Sequence, residues 1–232
     1  SLLGMVDAAI GGKTGLDFAG IKNQIGLFTN PKCVVIDPTF LKTLNKRQLL
    51  SGYAEMLKCG LIMDRDLWAS IADIKCSEIS DWDSLIVQSA RNKVDIVRHD
   101  LHEIGIRKIL NFGHTVGHAI ESHFLTNSND VTHGAAVAAG MICETYISSK
   151  LFDFSKEQFN EIIDVIDMNF DRINIKIDDI EKLNTYMRQD KKIKGGKHKF
   201  SLLRKLGKAV HDIDVDDNLI EESIIFYIEN KK

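Results

Sequence analysis

Apolar side chains recur at helical spacing along most of this chain. Between positions 49 and 61 they repeat every three or four residues and form one stripe of Leu49, Leu50, Tyr53, Met56, Leu57 and Leu61. Similar spacing predicts further helices over 81–99, from near 113, and over 134–149, 153–167, 177–187 and 216–229. From residue 46 onward the chain is therefore expected to be mainly helical.

Two stretches follow a different pattern. Residues 33–37 form a continuous apolar run before Pro38, which predicts a short buried strand at the edge of an α/β sheet. Alternation on either side of Gly207 predicts a small hairpin over 199–203 and 209–211. Because residues 1–45 are also rich in glycine, we divide the chain into an α/β part, 1–45, and a helical domain, 46–232.

Composition narrows the class of protein. The 232 residues are 44% hydrophobic and 27% charged, with a net charge of −3, which argues against a nucleic-acid-binding surface. No apolar run approaches the roughly 20 residues needed to span a bilayer. The four cysteines are scattered without a CxxC pair and are expected to be reduced and mostly buried, which favours a cytoplasmic protein. The chain begins at Ser1 inside an apolar stretch, so we expect it to be a fragment.

Six of the eight histidines fall between His99 and His133. His114 and His118 are four residues apart, so on a helix both imidazoles leave from the same face, about one turn apart. Glycines beside each of the two leave room for a metal, a ligand or another helix to approach the backbone. The cluster therefore indicates an active site rather than a packed core.

A zinc site is one interpretation of this cluster. Catalytic zinc takes three histidine or carboxylate ligands and leaves a position open. His114 and His133 supply two imidazoles, and Glu55 is the leading third ligand because a carboxylate inside an apolar helix face needs a partner. The alternative stays open at this point: lone histidines are often structural, and a lone glutamate is usually solvated.

Basic residues form a second group. They lie beside glycine, asparagine or acidic residues rather than in charged runs, and they are Lys13, Lys22, Lys58, Lys93, Arg107, Lys191 and Lys192. Singly each is expected to face solvent, but together they suit a substrate with phosphate and carboxylate groups. The sequence Gly-Lys-Thr at 12–14 is not a phosphate-binding P-loop, because the upstream glycine of that motif is missing.

Seven blocks in order, at 6–15, 21–26, 51–58, 100–107, 113–121, 132–134 and 190–192, resemble the 3-dehydroquinate synthase family. The resemblance implies that residues 1–45 are the end of a Rossmann-like NAD-binding domain whose remainder lies upstream. It also implies a lyase of the shikimate pathway for aromatic amino acids. Such an enzyme converts 3-deoxy-D-arabino-heptulosonate 7-phosphate to 3-dehydroquinate and phosphate, by transient NAD oxidation, elimination, reduction and aldol ring closure.

The resemblance also implies roles for individual residues. Zn²⁺, or Co²⁺ in its place, would be bound by Glu55, His114 and His133, with His118 and Glu103 as acid/base groups. The substrate would contact Asp7, Lys58, Lys93, Arg107, Asn111 and one of the adjacent pair Lys191 and Lys192. NAD would lie near Lys13, Lys22, Asn23, Phe40, Leu41, Lys42 and Thr43. His99, His102 and His123 are left as surface residues. The family is commonly dimeric, so a homodimer is expected.

The chain departs from the family pattern at one position, and three other functions stay open as alternatives. The family usually has glutamate where this chain has Ala135, so a carboxylate that would support the last zinc histidine is missing. Without the upstream part of an NAD-binding domain, residues 1–232 alone are expected to show no turnover. The alternatives are a 2-deoxy-scyllo-inosose or valiolone synthase, a metal-dependent polyol dehydrogenase, and a helical interaction module in which the histidines are structural.

Overall fold

The computed structural model describes residues 1–18, 21–126, 131–189, 193–194 and 197–230. Its α-helices are α1 (Lys46–Met63), α2 (Arg65–Ile71), α3 (Trp82–His99), α4 (His114–Thr126), α5 (His133–Leu151), α6 (Lys156–Asn169), α7 (Ile180–Gln189) and α8 (Asp217–Glu229). The helices predicted from apolar spacing are confirmed with small shifts at their ends. The seven-residue helix α2 was not predicted, since it is too short to display a period.

Most of these helices begin at a polar residue whose side chain accepts a hydrogen bond from a backbone N–H of the first turn. These N-cap residues are Asn45, Asp64, Asp81, Thr132, Ser155 and Asp216. Each cap satisfies a donor that the helix itself leaves without a partner. Helix α4 is different, because the residue before it is Gly113, which has no side chain.

Helix α5 lies at the centre of the molecule. It contacts α1, α4, α6, α8 and strand β4 (Lys197–Lys205), and its side chains from position 136 to 145 are all buried. A helix that is apolar on every side belongs inside a domain. Because α1, α4 and α5 carry the predicted metal ligands, this packing places those ligands in the interior.

Two small antiparallel sheets complete the described fold. Strands β1 (Lys13–Phe18) and β2 (Ile21–Phe28) form a hairpin that was not predicted, and β3 (Ile193–Lys194), β4 and β5 (Lys208–Val215) form a sheet in that order. The predicted hairpin around Gly207 is confirmed, with Lys205 opposite Lys208 across the turn.

The prediction of a buried strand over 33–37 is wrong. These residues adopt no regular secondary structure, and Val35 is 86% exposed. A strand needs a neighbour for its backbone N–H and C=O groups, and none of the described strands lies beside this run. The run leads instead into a 3-10 helix, Pro38–Thr43, whose first turn is capped by the Asp37 carboxylate.

The first residues of the chain belong to the core of the helical part. A π-helical turn, Gly4–Ala8, packs against α1 and α3, with Leu2, Met5 and Val6 buried. Leu2 lies so close to Gly52 of α1 that an added methyl group there would come within 2.5 Å of it. This packing brings Asp7 to the helices that carry Glu55 and Lys93. In the part of the chain that the structure describes, no helix has both the length and the apolar character to cross a membrane.

Candidate metal centre and active site

The three predicted metal ligands converge. Glu55 lies inside α1, His114 is the first residue of α4 and His133 is the first residue of α5. Glu55 Oε1 is 3.5 Å from His114 Nε2 and 3.4 Å from His133 Nε2, and the three ligand atoms all lie within 4.8 Å of one another. A tetrahedral zinc ion with bonds of 2.0–2.2 Å separates its ligand atoms by about 3.4 Å. The spacing therefore fits zinc or a similar ion.

The Glu55 carboxylate is almost completely buried, and neither oxygen receives a hydrogen bond of good geometry from the described residues. Its one cationic neighbour on α1 is Lys58, whose ammonium group forms an ion pair with Oε2. Burial alone would raise the pKa of Glu55, but Lys58 and His133 outweigh burial and lower that pKa. The result is an ionised carboxylate whose Oε1 faces two imidazoles, as a metal ligand requires.

Both histidines are oriented through their other ring nitrogen. His114 Nδ1 lies 3.1 Å from the carbonyl oxygen of Phe112, and His133 Nδ1 lies 3.0 Å from Glu121 Oε2. A carbonyl only accepts, so His114 carries its proton on Nδ1 and presents the lone pair of Nε2 toward Glu55. Burial and the nearby Lys58 hold the pKa of His114 well below its usual value, which keeps this ring neutral.

His133 has the opposite electrostatic environment. Burial would lower its pKa, but the carboxylates of Glu121 and Glu55 raise that pKa to about 9. At neutral pH a proton on His133 therefore competes with a metal ion for the same nitrogen.

His118 lies beside this cluster, on the face of α4 that the spacing predicted. The centre of its ring is 5.1 Å from that of His114 and 6.0 Å from that of His133. With Glu121 and His133 it forms a second group whose ligand-type atoms lie within 4.8 Å. His118 is half-buried, so its ring is not closed off from solvent.

A chain of alternating charges extends from the cluster. Lys93 on α3 donates to the Asp7 carbonyl oxygen at 2.5 Å and to Asp7 Oδ1 at 2.6 Å. Burial would raise the pKa of Asp7, but Lys58 and Lys93 lower it, so this carboxylate is ionised. Lys58 has a raised pKa, because Glu55 and Asp7 outweigh the effect of its burial. Burial lowers the pKa of Lys93, an effect that the neighbouring Asp7 carboxylate opposes. Four predicted site residues thus form one network of oppositely charged groups.

Three more predicted residues meet in the loop before α4. Asn111 Nδ2 donates to Glu103 Oε1 at 2.5 Å, and Lys13 forms an ion pair with Glu103 Oε2. Glu103 has φ of +57°, a left-handed conformation that non-glycine residues rarely adopt outside functional or tightly constrained sites. The structure thus joins the start of β1 to the Glu103 loop.

Arg107 is buried and bonded to main-chain carbonyl groups, at 2.6 Å to Leu101 and 2.9 Å to Gly11. Gly11 has φ of +104°, and an added Cβ there would lie 2.4 Å from the guanidinium group. Arg107 therefore joins its own loop to the first residues of the chain.

Other predicted residues are not brought into the cluster. The 3-10 helix Pro38–Thr43 leaves Phe40 66% exposed, with Lys42 and Thr43 also exposed and Leu41 half-buried. Lys191 and Lys192 lie outside the described residues, as do the side chains of Lys22 and Asn23, although β2 contains both positions.

The prediction that His123 is a surface residue is wrong. It is 4% exposed, and its Nε2 lies 3.3 Å from Asp179 Oδ1. The polar partner comes from the segment before α7, which the local pattern of α4 could not reveal. His99 and His102 are exposed, as predicted.

Two carboxylates at the site were missed. Glu121 orients His133, the role we had associated with the glutamate that Ala135 replaces. Glu144 is fully buried in α5 and contacts the start of α4. A carboxylate inside an apolar helix was the signal that identified Glu55, and the same signal marks Glu144.

Solved structures with this fold define the class of protein. A 2-epi-5-epi-valiolone synthase from Streptomyces hygroscopicus, with NAD⁺ and Zn²⁺ bound, superimposes with a TM-score of 0.85 at 25% identity, over 100% of this chain and 65% of that chain. A 2-deoxy-scyllo-inosose synthase complexed with carbaglucose-6-phosphate, NAD⁺ and Co²⁺ gives 0.82 at 24% identity, over 96% and 63%. The fold is that of the sugar-phosphate cyclases, which confirms the predicted fold class.

Sequence comparison narrows the class. Residues 1–51 match the N-terminal family model of 3-dehydroquinate synthase, and residues 52–193 match the C-terminal one. The 3-dehydroquinate synthase of Parabacteroides distasonis is 43% identical over 232 residues, 99% of this chain and 66% of the relative. That of Rippkaea orientalis is 39% identical over 237 residues, 98% and 64%. The chain belongs to the 3-dehydroquinate synthase family, and it spans slightly less than two thirds of these relatives' length.

Proposed function

We propose that the protein carrying this chain is a 3-dehydroquinate synthase, a carbon–oxygen lyase that converts 3-deoxy-D-arabino-heptulosonate 7-phosphate to 3-dehydroquinate and phosphate. One observation supports this most strongly. Glu55, His114 and His133 converge at metal-ligand spacing, and the network of Lys58, Asp7 and Lys93 adjoins them. A metal centre beside buried lysines suits a polyhydroxy acid phosphate.

The three converging residues would hold Zn²⁺, or Co²⁺ in its place. The buried Glu55 Oε1, which receives no hydrogen bond of good geometry, and the two Nε2 atoms directed at it support this assignment. When bound, such an ion supplies Lewis-acid chemistry to a substrate hydroxyl group. We assign the second, supporting contact to Glu121, whose carboxylate fixes the ring of His133.

Proton transfer is assigned to His118 and Glu103. His118 is half-buried next to the two ligating imidazoles, within reach of a hydroxyl group held at the cluster. An imidazole side chain exchanges protons near neutral pH, which suits a group that accepts and returns a proton. The Glu103 carboxylate is held in place by Asn111 and Lys13, so its position is fixed before substrate arrives.

Binding of the substrate's anionic groups is assigned to Lys58, Lys93, Arg107, Asn111 and one of Lys191 and Lys192, with Asp7 accepting from a substrate hydroxyl group. Lys58 and Lys93 are buried, and an ammonium group in such surroundings attracts phosphate or carboxylate more strongly than an exposed one does. Their partners Asp7 and Glu55 keep both ammonium groups oriented.

NAD binding is proposed through family membership, at Lys13, Lys22, Asn23 and the turn of Phe40, Leu41, Lys42 and Thr43. The described residues do not by themselves form a dinucleotide cradle, since this turn is largely exposed. We propose 1–45 as the end of an NAD-binding domain whose first turn, Gly4–Ala8, packs against the helical part, and 46–232 as the metal and substrate domain. We expect no turnover from residues 1–232 alone.

A phosphate-release assay with the full gene product tests the proposed activity. The expected result is phosphate release from 3-deoxy-D-arabino-heptulosonate 7-phosphate with no net change in NAD. Release only from six- or seven-carbon sugar phosphates without the carboxylate would favour a cyclase like the solved neighbours instead. Accumulation of NADH without phosphate release would indicate a polyol dehydrogenase.

We also propose a cytoplasmic homodimer. Cys59, Cys76 and Cys143 are buried free thiols, which suits a reducing compartment. Light scattering of the purified protein at several concentrations tests the assembly: a mass of two chains is expected, and a mass of one chain throughout contradicts it.

A further inference from the structure

Helix α4 carries His114 and His118 but has no local N-cap side chain. The residue before it is Gly113, with φ of +79°. The N–H groups of a first helical turn have no partner within the helix, and in the interior of a protein such groups must be satisfied from elsewhere.

A carboxylate from the neighbouring helix takes this place. Glu144 Oε2 accepts from the Gly113 N–H at 2.6 Å, while Oε1 accepts from the N–H of Thr115 at 3.0 Å and of Val116 at 3.2 Å. Glu144 lies in the middle of α5 and is 0% exposed. The positive end of the α4 dipole adds to the attraction, because a carboxylate is stabilised at a helix N-terminus.

The two helices approach closely at this point. A Cβ on Gly140 would lie 2.0 Å from the Gly113 carbonyl oxygen, and one on Gly117 would lie 3.0 Å from that of Ala136. Such contact leaves the first turn of α4 no freedom to shift while Glu144 holds its N–H groups. The first residue of that turn is His114.

We propose that Glu144 is a positioning residue of the metal centre: its carboxylate caps α4 from α5 and so holds His114 and His118 against Glu55 and His133. The inference rests on the proposed function only for the identity of the metal site. The cap connects two ligands of the cluster, because α5 carries both Glu144 and His133. A shift of α4 would therefore move His114 and His118 out of position together.

The variant Glu144→Gln tests this, with Asp100→Asn as a matched control. Asp100 is a second buried carboxylate that accepts from three backbone N–H groups, those of Ile104, Gly105 and Arg107, but its loop carries no proposed metal ligand. In both variants an NH₂ group replaces one acceptor oxygen. We therefore expect both variants to lose stability, and only Glu144→Gln to lose zinc affinity.

Zinc affinity, measured by competition with a chelator, is expected to fall by about 10–100-fold in Glu144→Gln, the range seen when a group supporting a metal ligand is removed. In Asp100→Asn it should stay within about twofold of the wild type. The Co²⁺ absorption spectrum should change in the first variant only. Equal affinities for Glu144→Gln and the wild type would overturn the inference. So would equal losses in both variants.

Amide hydrogen exchange of the metal-free protein separates this inference from the proposed function. Gly113, Thr115 and Val116 should exchange at least about tenfold faster in Glu144→Gln, and unchanged rates would overturn the cap. If the wild type bound no metal, the proposed metal centre would fail, while the exchange result would still decide the cap. Should Glu144→Gln not fold, Glu144→Asp, with the charge retained on a shorter side chain, is expected to show the same changes in weaker form. Wild-type values in that variant would contradict the inference.

Discussion

The cluster of Glu55, His114 and His133 and the segment from 13 to 43 differ in how the side chains that the structure describes are held. In the cluster each proposed ligand is buried or half-buried and has a defined partner: Lys58 for Glu55, the Phe112 carbonyl for His114 and Glu121 for His133. In the segment from 13 to 43, Leu27 is 72% and Phe40 66% exposed. An open groove of about 740 Å³ also lies between Ile36, Pro38 and the outer face of α3.

This contrast shows which half of the proposed active site the chain organises by itself. Ligand positions in the cluster follow from the packing of α1, α4 and α5, which close glycine contacts enforce. The proposed cofactor residues lie on a hairpin and a turn, and the side chains that the structure describes there, at 13–15, 26–28 and 38–43, are exposed or half-buried. Metal binding should therefore tolerate changes in the segment from 13 to 43 and respond strongly to small changes in the helices.

The largest effect is expected for Glu55→Gln. The variant loses the charged ligand and leaves Lys58 next to a neutral amide, so zinc affinity should fall by more than about 100-fold, beyond the usual loss for a merely supporting group. Chelator competition at pH 7.5 measures it, with circular dichroism to verify folding. The control is Glu221→Gln, an exposed carboxylate on α8 that should bind zinc as the wild type does. Retention of full affinity by Glu55→Gln would remove Glu55 from the ligand set.

The same substitution in both regions tests the contrast directly. In Gly140→Ala the new methyl group would meet the Gly113 carbonyl oxygen at 2.0 Å, and in Gly26→Ala it would meet that of Thr14 at 2.4 Å. Gly140→Ala should destabilise the protein by about 1–3 kcal/mol or more and weaken zinc binding, because α4 and α5 must separate. Gly26→Ala should leave zinc affinity within about twofold. Thermal unfolding and zinc titration of both variants decide the matter, and equal loss of zinc affinity would refute the contrast.

Much of this site could be predicted from the sequence, for a physical reason. Glu55 was identifiable because a carboxylate in an apolar stripe needs a partner, and His114 and His118 because their spacing places them on one helix face. Most helix starts lie at a polar residue next to the helix in sequence, so their approximate positions were also predictable, whereas α4 has no such local cap. Features that depend only on residues close together in the sequence, such as which side chains share a helix face, can be predicted from that segment alone.

The missed features depend on contacts between distant segments. The run at 33–37 has the composition of a strand, yet strand formation requires a neighbour, which is not a local property. His123 is buried because Asp179, more than fifty residues away, supplies its partner. The capping of α4 by Glu144 likewise joins residues about thirty positions apart. Glu144 was missed, although a carboxylate inside an apolar helix could have marked it, and the local pattern does not reveal what it contacts.

A smaller effect with a defined pH dependence is expected for Glu121→Gln. The pKa of His133 is raised to about 9 by Glu121 and Glu55, so a proton competes with zinc below that pH. Zinc affinity of the wild type should therefore rise with pH and level off near pH 9. In Glu121→Gln the zinc affinity should level off at a lower pH, because one of the two carboxylates that raise the pKa of His133 is gone. The affinity at that plateau should be about 10–100-fold weaker than in the wild type. Titrations from pH 6 to 9.5 measure both. A curve identical to that of Glu221→Gln would show that Glu121 does not support His133.

The smallest effect is expected for Phe40→Ala. Because this side chain is 66% exposed, its removal should change unfolding free energy by no more than about 0.5 kcal/mol and leave zinc affinity unchanged. If the turn contacts NAD as proposed, the full gene product with this change should need more NAD for half-maximal phosphate release. Unchanged NAD dependence would remove Phe40 from the proposed cofactor site.

X-ray absorption at the zinc edge of the purified, zinc-loaded protein tests the central claim most directly, because it reports the ligand atoms themselves. We predict one zinc per chain, with nitrogen and oxygen neighbours at about 2.0–2.2 Å, imidazole scattering from two histidines and no sulfur. In Glu55→Gln this signal should be lost. A sulfur shell near 2.3 Å, which would indicate cysteine ligands, or the absence of bound zinc from the folded wild type, would contradict the metal centre of Glu55, His114 and His133.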